Sequence, residues 1–477
     1  MITPLRRTKI VCTIGPSCYT QEGITNLFLH GMNVARINFS HGSHEVHERS
    51  IKYIRKTARE NDYSIAVLMD LQGPKIRVGQ MKDDGQVLTE GEIVSITGEE
   101  VEGTSTLIPI DYKNLVKEAE VGNRILLDDG LLELEVTGKK GSVLEAKVIV
   151  GGLLKPRKGV NLPNVKVSIP ALTEKDIKDL EFGLTQNVDF VALSFVRSAK
   201  EVLDLKRRIS ESECEAGVIA KIEKPEAIDA IDEIIEAADG IMVARGDLGI
   251  EVPTEDVPFI QKMIIEKCRK HGKPVITATQ MLDSMITNPR PTRAESSDVA
   301  NAVLDGTDAV MLSGETAAGK YPMEAVNVMN RICRKTEERL LNLYNSLKYR
   351  KPDLKEKQII ESIAFSCIAM ADNVDAKVIS TITHSGNTAR RIAKFRPKVP
   401  IFAFTESQKV RRQLNLVWGV HSVRLDELFN TDKSVKKMEY YLEDRGMVKK
   451  GDRIVIATGM PIAERGKTNM IKVSTIE

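Results

Sequence analysis

The sequence has almost no net charge, no long apolar run and no pairing pattern among its cysteines. Each of these features argues against some classes of protein function. Its 69 Lys and Arg residues nearly cancel 67 Asp and Glu residues, which leaves a formal charge of +2. A charge this close to zero predicts neither a nucleic acid nor a membrane surface as the main partner. The N-terminal stretch MITPLRRTKIVCTIG has no apolar core of signal-peptide length, and no later run is long enough to span a membrane.

The six cysteines are scattered along the chain, at Cys12, Cys18, Cys214, Cys268, Cys333 and Cys367. None of them has CxxC or zinc-ligand spacing, which is typical of proteins from a reducing compartment where thiols stay free. We therefore expect a cytoplasmic enzyme.

Short apolar runs alternate with helical patterns up to Leu312. The predicted strands are Lys9–Ile14, Val34–Asn38, Ile65–Asp70, Phe190–Phe195, Val218–Ile222, Gly240–Ala244, Val275–Thr279 and Ala309–Leu312. Helices are predicted near residues 21–30, 44–60, 199–212, 225–237, 256–271 and 294–304, the last opened by a capping box at Thr292–Glu295. Eight strands alternating with helices predict a (β/α)8 barrel, whose sites lie at the carboxyl ends of its strands.

The alternation is interrupted between residues 75 and 160, where period-two stretches are separated by glycine-containing turns. This pattern predicts a small all-β domain inserted after the third barrel strand, placed to act as a lid. Beyond the lysine-rich segment 348–357, strand-like runs alternate with helices again, which predicts a doubly wound α/β domain. The predicted domains are a catalytic barrel at 1–74 and 161–343, a lid at 75–160 and a regulatory domain at 344–477.

One βαβ unit, Val218–Gly249, has charged residues at the carboxyl ends of both strands. Lys221 and Glu223 have the i, i+2 spacing that puts strand side chains on one face, and Asp247 follows the second strand beside Gly246. Two carboxylates and an ammonium that converge suit a divalent cation holding an anionic substrate. The alternative, on this pattern alone, is a buried cluster of ion pairs.

Six motifs occur at the strand ends, at residues 36–42 (RINFSHG), 69–77 (MDLQGPKIR), 158–163 (KGVNLP), 221–223 (KIE), 244–249 (ARGDLG) and 278–281 (ATQM). In order and spacing they resemble the motifs of pyruvate kinase. The tail motif Lys467-Thr468-Asn469 extends the likeness over essentially the whole chain. The resemblance implies a TIM barrel, an inserted small β-barrel lid and a carboxyl-terminal α/β domain. It also implies Mg²⁺-dependent phosphoryl transfer from phosphoenolpyruvate to ADP, giving pyruvate and ATP in the last step of glycolysis.

The matched motifs imply a role for single residues. Glu223 and Asp247 would bind the divalent ion, Mg²⁺ or Mn²⁺. The catalytic residues would be Lys221, Arg36 and Thr279, with Lys221 on the phosphoryl group in flight. The residues that would hold the substrate are Arg36, Lys221, Gly246, Asp247 and Thr279. A proton would reach the enolate from Thr279, with Ser313 and water as further members of the relay.

The nucleotide phosphates would meet four residues near the lid, Asn38, His41, Arg77 and Lys158. Two of these have a simpler alternative. His41 has an equal claim to being a loop histidine, and the lesser alternative for Lys158 is a solvated hinge charge.

Many members of the family require K⁺, bound by residues that match Asn38, Ser40, Asp70 and Leu71. In that branch the third-strand motif ends in Gly-Pro-Glu, whereas Lys75 follows Gly-Pro here. A fixed ammonium supplies the positive charge that K⁺ would bring, so we expect activity without K⁺. The alternative is a solvated lysine at the hinge of the lid.

A hydroxyl-rich turn after the strand Lys377–Thr381 matches the place where the family binds the phosphate of its activators. The turn residues are Thr383, Ser385, Gly386, Asn387 and Thr388, and a helical run at Ala389–Phe395 follows. Backbone N–H groups at a helix start favour a phosphate, although Ser and Thr are common helix caps without any ligand. The activator would be fructose 1,6-bisphosphate, a sugar monophosphate or AMP.

Two other readings remain at this point. A metal-dependent lyase acting on a pyruvate enolate could use the same two carboxylates, but it would need neither the lid nor Arg77. A catalytically dead metabolite sensor would be expected to lack Lys221 or a metal ligand, and all are present. The family resemblance also implies a homotetramer.

Overall fold

The computed structural model describes residues 5–344, 359–425, 431–460 and 468–477. The lysine-rich segment 348–357 and Lys467 of the tail motif lie outside the described residues.

Eight parallel strands close into a barrel, which confirms the predicted fold. They are β1 (Lys9–Ile14), β2 (Val34–Asn38), β3 (Ala66–Asp70), β12 (Phe190–Leu193), β13 (Gly217–Ile222), β14 (Gly240–Ala244), β15 (Val275–Ala278) and β16 (Ala309–Leu312). Around the barrel they pair in the order β1-β16-β15-β14-β13-β12-β3-β2. Their residues are almost all buried, as expected for strands that have helices outside and side chains packed inside.

The helices of the barrel are α1 (Gln21–His30), α2 (His44–Glu60), α4 (Glu174–Thr185), α5 (Ala199–Ser210), α6 (Pro225–Asp229), α7 (Ile231–Ala237), α8 (Arg245–Glu251), α9 (Val257–His271), α10 (Arg293–Asp305), α11 (Gly314–Ala317) and α12 (Pro322–Tyr344). In α2 the buried residues Ile51, Ile54 and Ala58 have helical spacing and face the strands. The capping box at Thr292 and Glu295 is present.

Three predictions about these elements were wrong in detail. The single helix predicted over 225–237 is interrupted at Ala230, which separates α6 from α7. Helix α4, opened by a capping box at Thr173, was not predicted. The strands expected to reach Phe195 and Thr279 end earlier, because both residues have positive φ, +53° and +64°, which a strand does not tolerate.

The inserted lid is mostly β-structure, with one short α-helix, α3 (Leu115–Glu118), and a 3₁₀ turn at Lys82–Asp84. Its strands are β4 (Gln86–Leu88), β5 (Ile93–Thr97), β6 (Leu107–Pro109), β7 (Arg124–Leu127), β8 (Leu132–Lys140), β9 (Val143–Val150), β10 (Gly152–Leu154) and β11 (Val160–Asn161). Six of them form the sheet β11-β7-β8-β9-β5-β6, and β4 pairs with β10. Arg77 bridges to Gly159 at one edge of the six-stranded sheet and Val78 bridges to Ile110 at the other. The same short segment therefore links both edges, in the manner of a small barrel.

The carboxyl-terminal domain is a five-stranded sheet, β19-β18-β17-β20-β21, packed against helices. The strands are β17 (Val378–Ile382), β18 (Ile401–Thr405), β19 (Val420–Arg424), β20 (Arg453–Thr458) and β21 (Met470–Thr475), and the helices are α13 (Ile359–Asn373), α14 (Asn387–Ala393), α15 (Gln408–Gln413) and α16 (Thr431–Asp444). The first four strands are parallel, whereas β21, which was not predicted, is antiparallel to β20. Among the residues described, no helix combines the length and the apolar character that crossing a bilayer requires.

The carboxyl-terminal domain joins the barrel at the end opposite the carboxyl ends of the strands. Lys9, the first residue of β1, is 1% exposed, and its Nζ donates a hydrogen bond to the carbonyl of Val420 in β19 at 2.6 Å. Asp189, just before β12, accepts hydrogen bonds from Arg55 of the barrel at 3.0 Å and from Arg412 of the other domain at 2.6 Å. Buried polar contacts of this kind fix the two domains against each other.

Candidate active site

Lys221 is the last residue but one of strand β13, and it lies at the centre of a cluster of charged side chains. Its Nζ lies 2.9 Å from Glu223 Oε1 and 3.3 Å from Asp70 Oδ1, and it donates a hydrogen bond to Ser194 Oγ at 2.7 Å. Burial by itself would lower the pKa of Lys221, but the charges of Asp70, Glu223 and Asp247 outweigh it and raise that pKa above 10.5. The side chain is therefore a cation throughout the physiological pH range.

Arg36, in strand β2, is fixed by two neighbouring strands. Its Nε donates to Asp70 Oδ2 at 2.6 Å, and its Nη1 donates to Thr13 Oγ1 at 2.9 Å. Burial would raise the pKa of Asp70, yet Lys221 and Arg36 together reverse that effect and lower the pKa below 3.8. Lys221 and Arg36 therefore both contact the ionised carboxylate of Asp70 at the open end of the barrel.

Glu223 and Asp247 are the two carboxylates expected to bind a metal ion. Glu223 is 1% exposed, and its Oε2 accepts a hydrogen bond from the backbone N–H of Phe195 at 2.7 Å. Burial is the largest cause that raises the pKa of Glu223, Lys221 opposes it, and the nearby charge of Asp247 raises the pKa further. Two carboxylates that disfavour each other's charge are a suitable place for a cation. Among the described residues, no group of three or more His, Cys, Asp and Glu side chains could hold a metal ion.

Thr279 follows strand β15 in a strained backbone conformation. Its φ is +64° and that of Gln280 is +53°, a region that a β-branched side chain rarely occupies. This conformation brings Thr279 Oγ1 within 2.8 Å of the backbone N–H of Gly246, from which it accepts a hydrogen bond. A Cβ at position 246 would approach the same oxygen to 3.2 Å, so glycine keeps the N–H and the hydroxyl close together. Strain of this kind is typical of functional sites.

Ser313 follows strand β16, and its backbone N–H donates to Glu315 Oε2 at 2.7 Å. Its hydroxyl is buried and has no hydrogen-bond partner within the described parts of the chain. An unpaired buried hydroxyl is available to a substrate or a water molecule.

The lid residues lie at the two points where the chain crosses between lid and barrel. Lys158 Nζ forms an ion pair with Asp128 Oδ1 at 2.8 Å, and Arg77 Nη1 donates to the carbonyl of Arg157 at 3.1 Å. Lys75 is exposed, lies beside Gly159, and lines a cleft that Asp247 also lines.

The other predicted nucleotide and K⁺ residues lie at or just beyond the carboxyl ends of strands β2 and β3. Asn38 Oδ1 accepts a hydrogen bond from the backbone N–H of Ser40 at 3.1 Å, whereas His41 is exposed to solvent. The carbonyl of Leu71, another of these residues, accepts a hydrogen bond from Ser194 Oγ at 2.7 Å.

The predicted effector turn lies between strand β17 and helix α14. Thr383 Oγ1 accepts a hydrogen bond from the N–H of Gly386 at 2.9 Å, and Thr388 Oγ1 lies 2.6 Å from Thr468 Oγ1. These two hydroxyls are used within the protein, whereas Ser385 and Asn387 are exposed.

Sequence reasoning missed Ser194, which contacts the central lysine. It was placed inside a strand that was expected to run to Phe195, where it would have had no special position. The structure ends β12 at Leu193, so Ser194 lies at the carboxyl end of the barrel and its hydroxyl links Lys221 Nζ to the carbonyl of Leu71. The signal in the sequence is a polar residue following a short apolar run.

A closed barrel with this cluster at the carboxyl ends of its strands is typical of a (β/α)8-barrel enzyme. The cations Lys221 and Arg36 in the cluster indicate that its substrate is an anion. The family described as "Pyruvate kinase, barrel domain" matches residues 5–326, and "Pyruvate kinase, alpha/beta domain" matches residues 361–474. The chain is 48% identical over 474 residues to a pyruvate kinase of Geobacillus stearothermophilus, covering 99% of this chain and 80% of that one. It is also 48% identical over 474 residues to a pyruvate kinase of Staphylococcus aureus, with coverage of 99% and 81%.

Among solved structures, the chain is similar to a pyruvate kinase from Cryptosporidium parvum. The TM-score is 0.91 and the sequence identity 39%, over 99% of this chain and 96% of that one. The chain therefore belongs to the pyruvate kinase family. Its activity is transfer of the phosphoryl group of phosphoenolpyruvate to ADP, which gives pyruvate and ATP in glycolysis.

Proposed function

We propose that Lys221, Arg36 and Thr279 carry the phosphoryl transfer. The observation on which this rests is the position of Lys221, whose buried, permanently charged Nζ lies within 3.3 Å of two carboxylates at the open end of the barrel. Phosphoryl transfer depends on positioning and on neutralising charge, so a fixed cation is what the reaction needs. Arg36, held on Asp70, supplies a second cation to the same phosphate.

Glu223 and Asp247 bind Mg²⁺ or Mn²⁺ in this proposal. The fit is supported by the buried Glu223 carboxylate, whose pKa is raised by burial and by Asp247, since a divalent cation would relieve both effects. When bound, the ion would neutralise phosphate charge and orient the substrate. Two carboxylates with waters and substrate oxygens are the usual ligand set of Mg²⁺.

The carboxylate of phosphoenolpyruvate lies against the N–H of Gly246 and the hydroxyl of Thr279. These two groups are adjacent, because the N–H donates to the hydroxyl oxygen at 2.8 Å, and a carboxylate that binds both would replace that hydrogen bond. As the phosphoryl group leaves for the β-phosphate oxygen of ADP, the enolate oxygen keeps the bonding electrons. The enolate carbon then takes a proton from Thr279, with Ser313 and water behind it, and pyruvate results.

The nucleotide phosphates lie between the lid and the loop after β2. Arg77 and Lys158 are the cations at the two lid crossings, Asn38 is the last residue of β2, and His41 lies on the loop that follows it. Lys75 takes the place of K⁺ in this proposal, which is supported by its place on the cleft that Asp247 also lines. The K⁺ region of other members, at Asn38, Ser40, Asp70 and Leu71, would then need no bound K⁺.

An activator phosphate binds at the turn between β17 and α14. The support is the exposed Ser385 and Asn387 with Arg390 beside them, whose Nη1 donates to the carbonyl of Ser385 at 3.0 Å. A homotetramer is proposed from the family, and the exposed Phe259 and Leu29 on barrel helices are apolar surface that such contacts would cover. The six free cysteines support a cytoplasmic location.

The proposal is tested by replacing Lys221 with Met, assayed through pyruvate formation coupled to NADH oxidation. Turnover is expected to fall by roughly 10²-fold or more while the KM for phosphoenolpyruvate changes little, because the charge that Lys221 meets develops in the transition state. Lys178→Met, at an exposed position on α4, is the matched control and keeps full turnover. Near-normal turnover in Lys221→Met would remove the assigned role.

A further inference from the structure

The carboxylate of Glu251 joins the last strand of the lid to the barrel. Glu251 is the last residue of α8, and its side chain is 1% exposed. One oxygen, Oε1, accepts hydrogen bonds from Lys224 Nζ at 2.6 Å and from Asn161 Nδ2 at 2.9 Å. The other oxygen, Oε2, is buried without a hydrogen-bond partner among the described residues.

Each of the residues joined at this carboxylate is close in sequence to a residue of the candidate active site. Lys224 follows Glu223 directly, and α8 has Asp247 in its first turn. Asn161 comes three residues after Lys158, and its backbone is still paired with β7 in the lid sheet. A side chain of the lid therefore reaches the helix and the strand end that carry the metal ligands.

The turn between β7 and β8 of the lid also lies near this helix. Gly130, in the turn between β7 and β8, lies so that an added Cβ would be 3.9 Å from Cγ2 of Ile250, the neighbour of Glu251. Between the two crossings of the chain, at Pro74–Ile76 and Val160–Leu162, lies a cleft of about 540 Å³, part of it open to solvent. With this cleft beside the crossings, the contacts at the end of α8 are one of the places where the lid is held against the barrel.

We propose that Glu251 is a positioning residue that holds the lid over the active site through Asn161 and thereby sets the affinity for ADP. A buried carboxylate with donors from two domains makes charge-assisted hydrogen bonds, and moving the lid away would leave its charge less compensated. The arrangement with the lid in place is therefore favoured before ADP arrives. The inference rests on the proposed function in one respect, that the nucleotide binds between the lid and the barrel.

The test compares Asn161→Ala with wild type in steady-state assays at varied ADP. Asn161→Ala removes the lid's donor but leaves the Lys224–Glu251 ion pair intact. The KM for ADP is expected to rise about five- to tenfold, whereas the KM for phosphoenolpyruvate and the turnover at saturating ADP change less than about twofold. A loss of stability alone would lower the active fraction without changing the KM for ADP.

Glu251→Gln keeps the volume and removes the charge, and its KM for ADP is expected to rise as well. The double variant is expected to match Glu251→Gln, because both changes act through one contact. The matched control is Glu133→Gln, at a lid residue whose carboxylate accepts a hydrogen bond from Arg124 on the neighbouring strand of the lid sheet, and it keeps the wild-type KM for ADP.

Three results overturn the inference or divide it from the proposed function. An unchanged KM for ADP in Asn161→Ala, whatever its melting temperature, would make the contact a structural tie and nothing more. Effects that multiply in the double variant would show that Asn161 and Glu251 act separately, and would also reject it. Arg77→Gln tests the nucleotide placement on its own: if it alone leaves the KM for ADP unchanged, that placement fails while the role of Glu251 stands.

Discussion

Lys9 is the residue whose replacement should stabilise this protein, by an amount that depends on pH. Its ammonium is buried under the barrel, and burial, with Arg6 nearby, lowers its pKa from 10.5 to about 7, although Glu337 and Asp308 partly oppose this. The difference between those two values corresponds to roughly 5 kcal/mol of unfavourable free energy for the charged form in the folded state.

The sign of the pH dependence follows from where the proton is bound. Below pH 7 both the folded and the unfolded chain carry the Lys9 proton, so the full cost is present. Between about pH 7 and 10.5 only the unfolded chain keeps it, so stability rises with pH across this window. Replacing Lys9 with Met removes the cost but leaves the carbonyl of Val420 without its donor, which costs about 1–3 kcal/mol. The net gain is therefore about 2–4 kcal/mol below pH 7, and it disappears by about pH 10.

The measurement is the melting temperature of Lys9→Met and wild type from pH 6 to pH 10. With roughly 2.1 cal/mol/K of unfolding entropy per residue, a gain of this size raises the melting temperature by about 2–4 °C at pH 6 if the 477 residues unfold together. Lys178→Met, at an exposed position, is the control and shows no trend with pH. A difference that is the same at every pH, or a less stable Lys9→Met at pH 6, would refute the reasoning.

Three further predictions concern the active site and its regulation. Glu223→Gln should lose nearly all activity at the Mg²⁺ concentration that saturates wild type while the circular dichroism spectrum stays that of wild type, because the volume is kept and one metal ligand charge is lost. Wild-type activity with an unchanged Mg²⁺ dependence in this variant would mean that the ion binds elsewhere. In buffer free of K⁺ and NH₄⁺ the enzyme should be fully active, and Lys75→Glu should make it depend on added KCl; a many-fold rise of the wild-type rate with KCl would contradict the assigned role of Lys75. A phosphorylated activator should lower half-saturating phosphoenolpyruvate several-fold or more, as a coupling of roughly 1–3 kcal/mol implies; the double variant Ser385→Asp, Thr388→Asp should not respond to fructose 1,6-bisphosphate, a sugar monophosphate or AMP, and an equal response in both proteins would place the activator elsewhere.

The sequence by itself determined the barrel, because its strands are short apolar runs with a clear beginning and end. Lys9–Ile14, Val34–Asn38, Gly240–Ala244 and Ala309–Leu312 have the predicted bounds. The family could be predicted as well, since six motifs in a fixed order can be read without coordinates. The i, i+2 spacing of Lys221 and Glu223 predicted that their side chains lie on one face, because side chains alternate along a strand, and the two do form an ion pair.

Only the tertiary structure decided what happens just beyond the strand ends. Phe195 and Thr279 leave their strands through positive φ values, a choice made by packing and hydrogen bonding around them and not by local propensity. The contact of Ser194 with Lys221 depends on two strands being neighbours in the barrel. The contact of Asn161 with Glu251 joins residues 90 positions apart in two domains. A sequence pattern reports the period of one element, whereas these contacts depend on how separate elements are oriented in space.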